Sequence, residues 1–193
     1  MPEEPAFRDL VRRVRAGDAQ ATAELVRRYE PAIRLAVRAR LTDRALRRRL
    51  DSMDICQSVL ASFFVRAAAG KYELDQPGQL LRLLVAMARN KLINQAKKQR
   101  AARRDYRRQQ PPDGGDAEPA APGPSPSDVV AHRELLQEFR SRLSAAEQQL
   151  ADRRAAGRRW TEIAAEVGGQ PDTLRVQLNR AIDRVTRELG LED

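Results

Sequence analysis

The sequence predicts an all-α protein of two small helical domains joined by a flexible linker. Aromatic residues make up only 4% of the 193 residues, while alanine, leucine and arginine, which favour helices, are common. Apolar residues recur at helical spacing on both sides of one break in the pattern. That break, residues 109–128, holds six prolines, three glycines, four acids and no basic residue, which favours an extended tether.

The break divides the chain into an N-terminal domain over residues 1–108, a linker over 109–128 and a C-terminal domain over 129–193. The net charge of +9 is unevenly distributed. Residues 82–108 contain ten lysines or arginines and one acid, Asp105, so this stretch alone carries a net charge of +9. A localised positive charge of this size favours a polyanionic partner, because each neutralised phosphate releases counterions.

Four helices are expected in the N-terminal domain. An apolar stripe at residues 7–14 ends at Gly17, and Asp18 then caps a second helix. Pro31 should kink this second helix or divide it in two. The third helix is expected to begin at Asp51 or Ser52. A polar loop should follow from Lys71, and the long fourth helix should begin near Gln79.

The C-terminal domain is expected to contain a helix-turn-helix. Ser144 and Glu147 have the spacing of a capping box, in which each side chain bonds a free backbone N–H of the other residue. A short helix, a glycine-containing turn and a longer helix opened by a proline are typical of the helix-turn-helix. The helices of this domain are expected at His132–Arg142, from Ser144 to Gly157, at Thr161–Val167 and from Pro171.

The last helix has the residue types that contact DNA bases. Arg175, Val176, Asn179 and Arg180 lie off its apolar stripe. Arginine can pair with guanine, asparagine with adenine, and a valine methyl can meet the thymine methyl. The alternative is a bundle helix with a solvated basic face. Nearby arginines that would hold the phosphate backbone are Arg153, Arg154, Arg158 and Arg159.

The basic half of the fourth helix is a second candidate nucleic-acid surface. Asn90 and Asn94 lie one turn apart among cations, and uncharged amides suit base edges better than phosphates. The alternative is a solvated helix end. The cations that would line a strand include Arg89, Lys91, Lys97 and Lys98.

Several functional classes are disfavoured. Cys56 and His132 are the single cysteine and the single histidine, so neither an internal disulfide nor a Cys/His metal cluster can form, and no cofactor is predicted. The acids are dispersed or cap helices, so no active site is predicted and we do not expect an enzyme. There is no secretory signal and no run of eighteen apolar residues, so we expect a cytoplasmic protein without a membrane span.

Five motifs in the expected order resemble the sigma-70 family, specifically its extracytoplasmic-function (ECF) branch, which keeps only sigma domains 2 and 4. Asp54-Ile-Cys-Gln57-Ser is similar to the helix start that docks on polymerase. Ala88-Arg-Asn90 followed by Asn94 resembles the helix that binds the −10 element. The remaining motifs, which resemble domain 4 and its −35-binding helix-turn-helix, are Leu143–Glu147, Thr161–Ala164 and Asp172–Ala181.

The resemblance implies a sigma factor that binds core RNA polymerase, through its clamp coiled coil and its flap, and directs transcription from −10 and −35 promoter elements. It assigns polymerase binding to Asp51, Asp54, Ile55, Gln57, Ser58 and Phe63. It assigns −10 DNA binding to Tyr72, Arg89, Asn90, Lys91, Asn94, Lys97 and Lys98, with residues 71–78 forming a pocket for a flipped base. It assigns −35 DNA binding to Arg158, Thr173, Arg175, Val176, Asn179, Arg180 and Arg184.

Some residues depart from the family pattern. Ser58 stands where an acid is usual, Leu83 where a tryptophan is common, and Val176 where a serine is frequent. The Gln57-Ser58 pair resembles a branch of the family common in planctomycetes. We expect control to come from outside the chain, through an anti-sigma factor, a regulatory kinase or the level of expression.

Three alternatives compete with this interpretation. A plain helix-turn-helix regulator would explain the C-terminal domain but not the docking motif at Asp54. A basic RNA-binding adaptor would require exposed aromatics for base stacking, and Tyr72 and Tyr106 are nearly the only candidates. A DNA-processing enzyme would require clustered carboxylates or a nucleophile with its base. The sequence leaves open whether the two domains pack together in the free protein.

Overall fold

The computed structural model describes residues 3–40, 52–106 and 126–191, and these residues form eight helices and no strand. The all-α prediction is confirmed. The helices are α1 (Glu3–Arg15), α2 (Ala19–Arg40), α3 (Ser52–Ala68), α4 (Pro77–Tyr106), α5 (Pro126–Ser141), α6 (Ala145–Ala155), α7 (Trp160–Val167) and α8 (Pro171–Glu188).

The start of α2 follows the predicted cap, and of the two outcomes expected at Pro31, a kink or a division, the division is absent. The Asp18 carboxylate accepts hydrogen bonds from the backbone N–H groups of Gln20 and Ala21, at 2.8 and 2.9 Å. The helix then continues through Pro31 to Arg40 without dividing. Pro31 lies on the exposed side, where water can solvate the carbonyl that loses its helical donor.

The long helix α4 begins at Pro77, two residues before the expected start near Gln79. A proline suits this position because its missing N–H would have no helical partner. The Gln79 side chain accepts hydrogen bonds from the backbone N–H groups of Asp75 and Gln76, at 2.8 and 3.3 Å. The loop between α3 and α4, residues 69–76, therefore lies two residues earlier than predicted and is tied to the start of α4.

The C-terminal helices begin near their predicted positions, with one exception. The capping box is present, since Ser144 N–H donates to Glu147 at 2.8 Å and Glu147 N–H donates to Ser144 Oγ at 3.3 Å. Helix α5 begins at Pro126, so residues 126–128 are helical, and the rest of the expected linker, 109–125, lies outside the described residues. Proline at a first helical turn again explains the earlier start.

The turn between α7 and α8 requires glycine. Gly168 and Gly169 have φ angles of 81° and 96°, which side chains with a Cβ rarely adopt. Ile163 of α7 and Leu178 and Ile182 of α8 are buried on either side of this turn. These residues form the helix-turn-helix that the sequence predicted.

The two helical blocks pack against each other through α3. The N-terminal core contains Phe7, Leu25, Phe63 and Leu80, among others. The core of the C-terminal helices also takes in residues from the end of α3: Val65 and Ala69 lie buried in the cluster that contains Phe139, Ile163 and Ile182. The packing that the sequence left open is therefore present in this structure.

Candidate nucleic-acid and partner interface

The exposed start of α3 is the first candidate surface. Asp54 and Gln57 are exposed and Ser58 is partly exposed, so the three form one polar face at i, i+3 and i+4 spacing. Ile55 and Phe63, which were assigned to the same surface, are only 3% and 0% exposed and lie in the N-terminal core. They support the polar face from beneath and have no surface to offer a partner; Asp51 lies outside the described residues.

Tyr72 anchors the loop between α3 and α4. Its ring stacks on that of Phe63, with 5.9 Å between centroids and 7° between planes, and its hydroxyl donates to Met87 Sδ at 3.9 Å. The Arg15 guanidinium donates to the Tyr72 carbonyl at 2.5 Å. Burial, and then the nearby charge of Arg154, lowers the pKa of Arg15 from its ordinary value. The loop is thus fixed to α1, α3 and α4.

Helix α4 presents only part of the predicted basic face to solvent. Arg89, Asn90 and Lys97 are exposed, and Asn94 is partly exposed one turn after Asn90. Lys91, in contrast, is only 5% exposed, so it does not belong to the surface. Arg89, Asn90 and Asn94 remain as a mixed cationic and amide face; Lys98 is in the helix, but its side chain lies outside the described residues.

The outer face of α8 is the third candidate surface. Arg175 and Arg180 are exposed, Asn179 is partly exposed, and the apolar side chain of Val176 is 41% exposed among them. An open groove of about 740 Å³ runs along this face. Its lining includes Thr173, Val176, Gln177, Arg180, Arg184 and Arg187.

The predicted DNA-contacting arginines differ in how they are paired. Arg184 forms an ion pair with Glu147 at 3.0 Å, which ties α8 to the start of α6, and a second pair with Glu188 at 3.3 Å within α8. Arg158 is paired with two glutamates of α7, and Arg175 with Asp172 at 3.1 Å. Among the described residues, Arg180 forms no salt bridge, in contrast to Arg158, Arg175 and Arg184. Arg180 can therefore contact DNA without breaking an ion pair.

The sequence model of the ECF sigma factor family matches residues 4–190. The chain belongs to the ECF sigma factor family. No curated protein and no solved structure matches the sequence. Members of this family bind RNA polymerase and direct initiation at specific promoters, so this sigma factor is a DNA-binding regulator of transcription. The family is one of regulators and not of enzymes.

One arginine of the sigma factor has a different role from the predicted one. Arg154 was expected to hold phosphates, but it is 8% exposed. Its guanidinium lies 5.0 Å from the centre of the Trp160 ring, donates to the Arg158 carbonyl at 2.5 Å and pairs with Glu73 at 2.9 Å. No local pattern predicts this contact, because Glu73 lies in the other helical block.

The single cysteine is structural in this sigma factor. Cys56 is buried, and burial raises the pKa of its thiol to about 12, so it stays protonated and unreactive. In the described part of the chain, no group of three or more His, Cys, Asp or Glu residues is arranged to hold a metal ion. Within the same ranges, no helix has the length and apolar character to cross a membrane.

Proposed function

We propose that this sigma factor recognises its promoters at two elements, with residues of the N-terminal helices at the −10 element and α8 at the −35 element. The observation that carries the proposal is the outer face of α8. There an apolar side chain, Val176, is exposed between Arg175 and Arg180 beside an open groove. Such a mixture suits base edges, since arginine pairs with guanine and valine meets the thymine methyl.

Polymerase binding is assigned to the exposed start of α3. Asp54, Gln57 and Ser58 form a polar face that no other described helix covers. Ile55 and Phe63 act indirectly, because they fix the orientation of α3 from within the core. By analogy with the family, we propose that the chain binds two parts of RNA polymerase, the clamp coiled coil and the flap. We assign binding of the clamp coiled coil to this polar face.

The −10 element is assigned to the loop at 71–76 and to the exposed residues of α4. Arg89 and Lys97 can hold phosphates, while Asn90 and Asn94 can meet base edges. Tyr72 lies in the loop, where its ring stacks on Phe63, and it is proposed to support an unstacked base. Lys91 is left out because it is buried.

We further propose that the chain is of the planctomycete-type ECF branch, on the strength of the Gln57-Ser58 pair. Control by an anti-sigma factor or a regulatory kinase is proposed as well. An anti-sigma factor must cover at least one of the three surfaces, on α3, α4 or α8, to silence the protein.

In vitro transcription tests the proposal. Purified core polymerase is given fragments of the source genome with and without the protein, and new transcripts sharing paired −35 and −10 sequences are expected. Gln57→Ala should weaken core binding about tenfold, equal to about 1.4 kcal/mol. Arg180→Ala should leave core binding intact and cost about 1–3 kcal/mol at the −35 element. Gln20→Ala and Arg27→Ala, both on the exposed side of α2, are the matched controls.

A plain helix-turn-helix regulator is the second candidate, favoured by the self-contained geometry of α7 and α8. It predicts DNA binding without polymerase and no effect of Gln57→Ala. DNA binding with neither association with core polymerase nor new transcripts would replace the sigma proposal with this one.

A further inference from the structure

One face of α3 runs from the proposed polymerase contacts into the C-terminal helices. Asp54, Gln57 and Ser58 are exposed at its start. Ala61, one turn later, packs against the core of the C-terminal helices, and Val65 and Ala69 are buried in it. The positions 54, 58, 61, 65 and 69 share one side of a helix. One side of α3 therefore carries both the proposed polymerase contacts and the contacts with the C-terminal helices.

The covered part of this face makes a close interface. The buried Ser62 hydroxyl donates to the Leu191 carbonyl at 2.6 Å. Gly70 approaches α6 so closely that an added Cβ would lie 2.6 Å from Arg154 Cβ and 2.7 Å from its carbonyl carbon. A residue with any side chain would force the two blocks apart, so this approach depends on glycine.

Ion pairs link the same C-terminal helices to the loop after α3. Lys71 Nζ lies 2.6 Å from Asp183 Oδ1 on α8, and Glu73 pairs with Arg154 of α6 at 2.9 Å. Tyr72, the residue proposed to support a flipped base, lies between these two pairs in sequence. The C-terminal helices thus hold both flanks of the proposed −10 loop.

We propose that this arrangement is a closed, self-inhibited form in which the C-terminal domain and RNA polymerase compete for α3; the proposal rests on the proposed function of Asp54, Gln57 and Ser58. The competition follows from size. Ser58 and Ala61 are three residues apart, about 4.5 Å along the helix, whereas a helix with its side chains is about 10 Å wide. A polymerase helix centred on Gln57 and Ser58 overlaps the space that the C-terminal helices occupy.

The closed form is built so that it can open. Each of its ion pairs has an exposed carboxylate, since the Asp183 and Glu73 side chains are 54% and 80% exposed, whereas Lys71 and Arg154 are 25% and 9% exposed. Salt screens the more exposed pair, Lys71 with Asp183, most effectively. The apolar part contributed by α3 and the residue that follows it consists of small side chains, Ala61, Val65 and Ala69. Polymerase binding on one side of α3 can therefore displace the C-terminal domain and release the loop.

A reversible cross-link tests the proposal. In a Cys56→Ala background, Lys71→Cys and Asp183→Cys are joined by a bismaleimide with a central disulfide, which locks the closed form. The locked protein should bind core polymerase at least tenfold more weakly than the same protein after reduction. Lys71→Cys alone, treated with the same reagent, controls for the modification.

The outcomes separate the two proposals. Equal binding of locked and reduced protein would overturn the competition while leaving polymerase binding through α3 in place. Failure of the reduced, uncross-linked and wild-type proteins to bind core polymerase would overturn the proposed function itself.

A second variant opens the interface without a reagent. Ala69→Glu places a charge in a buried contact with the C-terminal helices, and Ala68→Glu, on the neighbouring half-exposed position, is the matched control. Ala69→Glu should lower the yield of the 71–183 cross-link and strengthen core binding several-fold. A lower cross-link yield with unchanged core binding would contradict the competition.

Discussion

The two helical domains differ in how they complete their cores. The N-terminal core closes on itself, with Phe7 of α1, Ile33 of α2, Phe63 of α3 and Leu80 of α4 buried against one another. The C-terminal core is smaller and includes Val65 and other residues of α3, a helix of the other domain. Because a small domain buries a lower fraction of its surface, apolar contacts with a helix of the other domain contribute relatively more to its stability. Helix α3 is thus a part of both cores.

Because of this difference, we expect the N-terminal domain to be the rigid part of the molecule and the C-terminal domain to be the part whose docking changes. The large side chains of the N-terminal domain are buried within its own core, so we expect it to keep its shape when the C-terminal domain is undocked. The C-terminal helices bury Phe139, Ile163 and Ile182 in their own core and gain additional burial from Val65 when docked, so we expect their attachment to vary.

The largest effect is expected for Phe63→Ala. Phe63 is fully buried and packs on both Phe64 and Tyr72, so its truncation should lower the free energy of unfolding by about 3–5 kcal/mol. Urea unfolding followed by circular dichroism measures the change. A loss below about 1 kcal/mol would mean that the site collapses around the cavity and that the N-terminal core is not the rigid scaffold.

A matched pair of valines on α3 tests the sharing of this helix. Val59 and Val65 are both fully buried, but Val59 belongs to the N-terminal core and Val65 to the C-terminal one. Each Val→Ala change removes two methyl-sized groups and should cost about 2 kcal/mol. Hydrogen exchange should accelerate in α6 and α8 for Val65→Ala and in α2 and α4 for Val59→Ala. Identical exchange patterns would contradict the division of the two cores.

This sharing could not be predicted from the sequence. Helical spacing identifies Val59 and Val65 equally well as buried positions, and nothing local tells which neighbour covers each. The same limit explains why Lys91, Ile55 and Phe63 were assigned to surfaces although they are buried. Helical periodicity predicts that a helix has a buried face, but it does not predict which segment packs on that face.

Helix caps, in contrast, could be predicted from the sequence, because the residues that form a cap are close together in the chain. The Asp18 cap and the Ser144–Glu147 capping box were predicted and are present, because both depend on residues three positions apart or fewer. Pro31 shows the limit of such a signal, since its cost depends on whether water reaches the freed carbonyl. Ion pairs between distant segments, such as Arg154 with Glu73, carry no local signal at all.

Alkaline pH should weaken the N-terminal domain first. Burial raises the pKa of Cys56 to about 12, above the value of about 8.5 in an unfolded chain. The folded form then binds one more proton than the unfolded form between these values, so stability is intact below the lower pKa and falls as pH rises above it. The slope should approach about 1.4 kcal/mol per pH unit near pH 10.

Cys56→Ala is the matched variant for this pH dependence. Its unfolding free energy should fall less steeply between pH 8.5 and about 10 than that of the wild type. Burial also raises the pKa of Tyr29, in the same domain, which adds a slope of the same sign at higher pH. Equal slopes for the two proteins would show that the thiol reaches solvent.

The smallest effect is expected for Ser144→Ala, which removes the cap of α6 in the C-terminal domain. The free energy of unfolding should fall by about 1 kcal/mol, because the Glu147 N–H loses its acceptor. Ser144→Asp keeps an acceptor and should restore most of the loss. The change should appear in the exchange of α6 and leave α2 and α4 unaltered; an effect spread over both domains would contradict their separate cores.

The central claim, that the free sigma factor is closed and opens on polymerase, is tested most directly by a distance measurement. Spin labels are placed at Arg27→Cys on α2 and Ala165→Cys on α7, both exposed positions, in a Cys56→Ala background. Pulsed electron resonance should give one narrow, short distance for the free protein and a longer one when core polymerase is added. A broad distribution in the free protein, or a distance that core polymerase leaves unchanged, would contradict the claim.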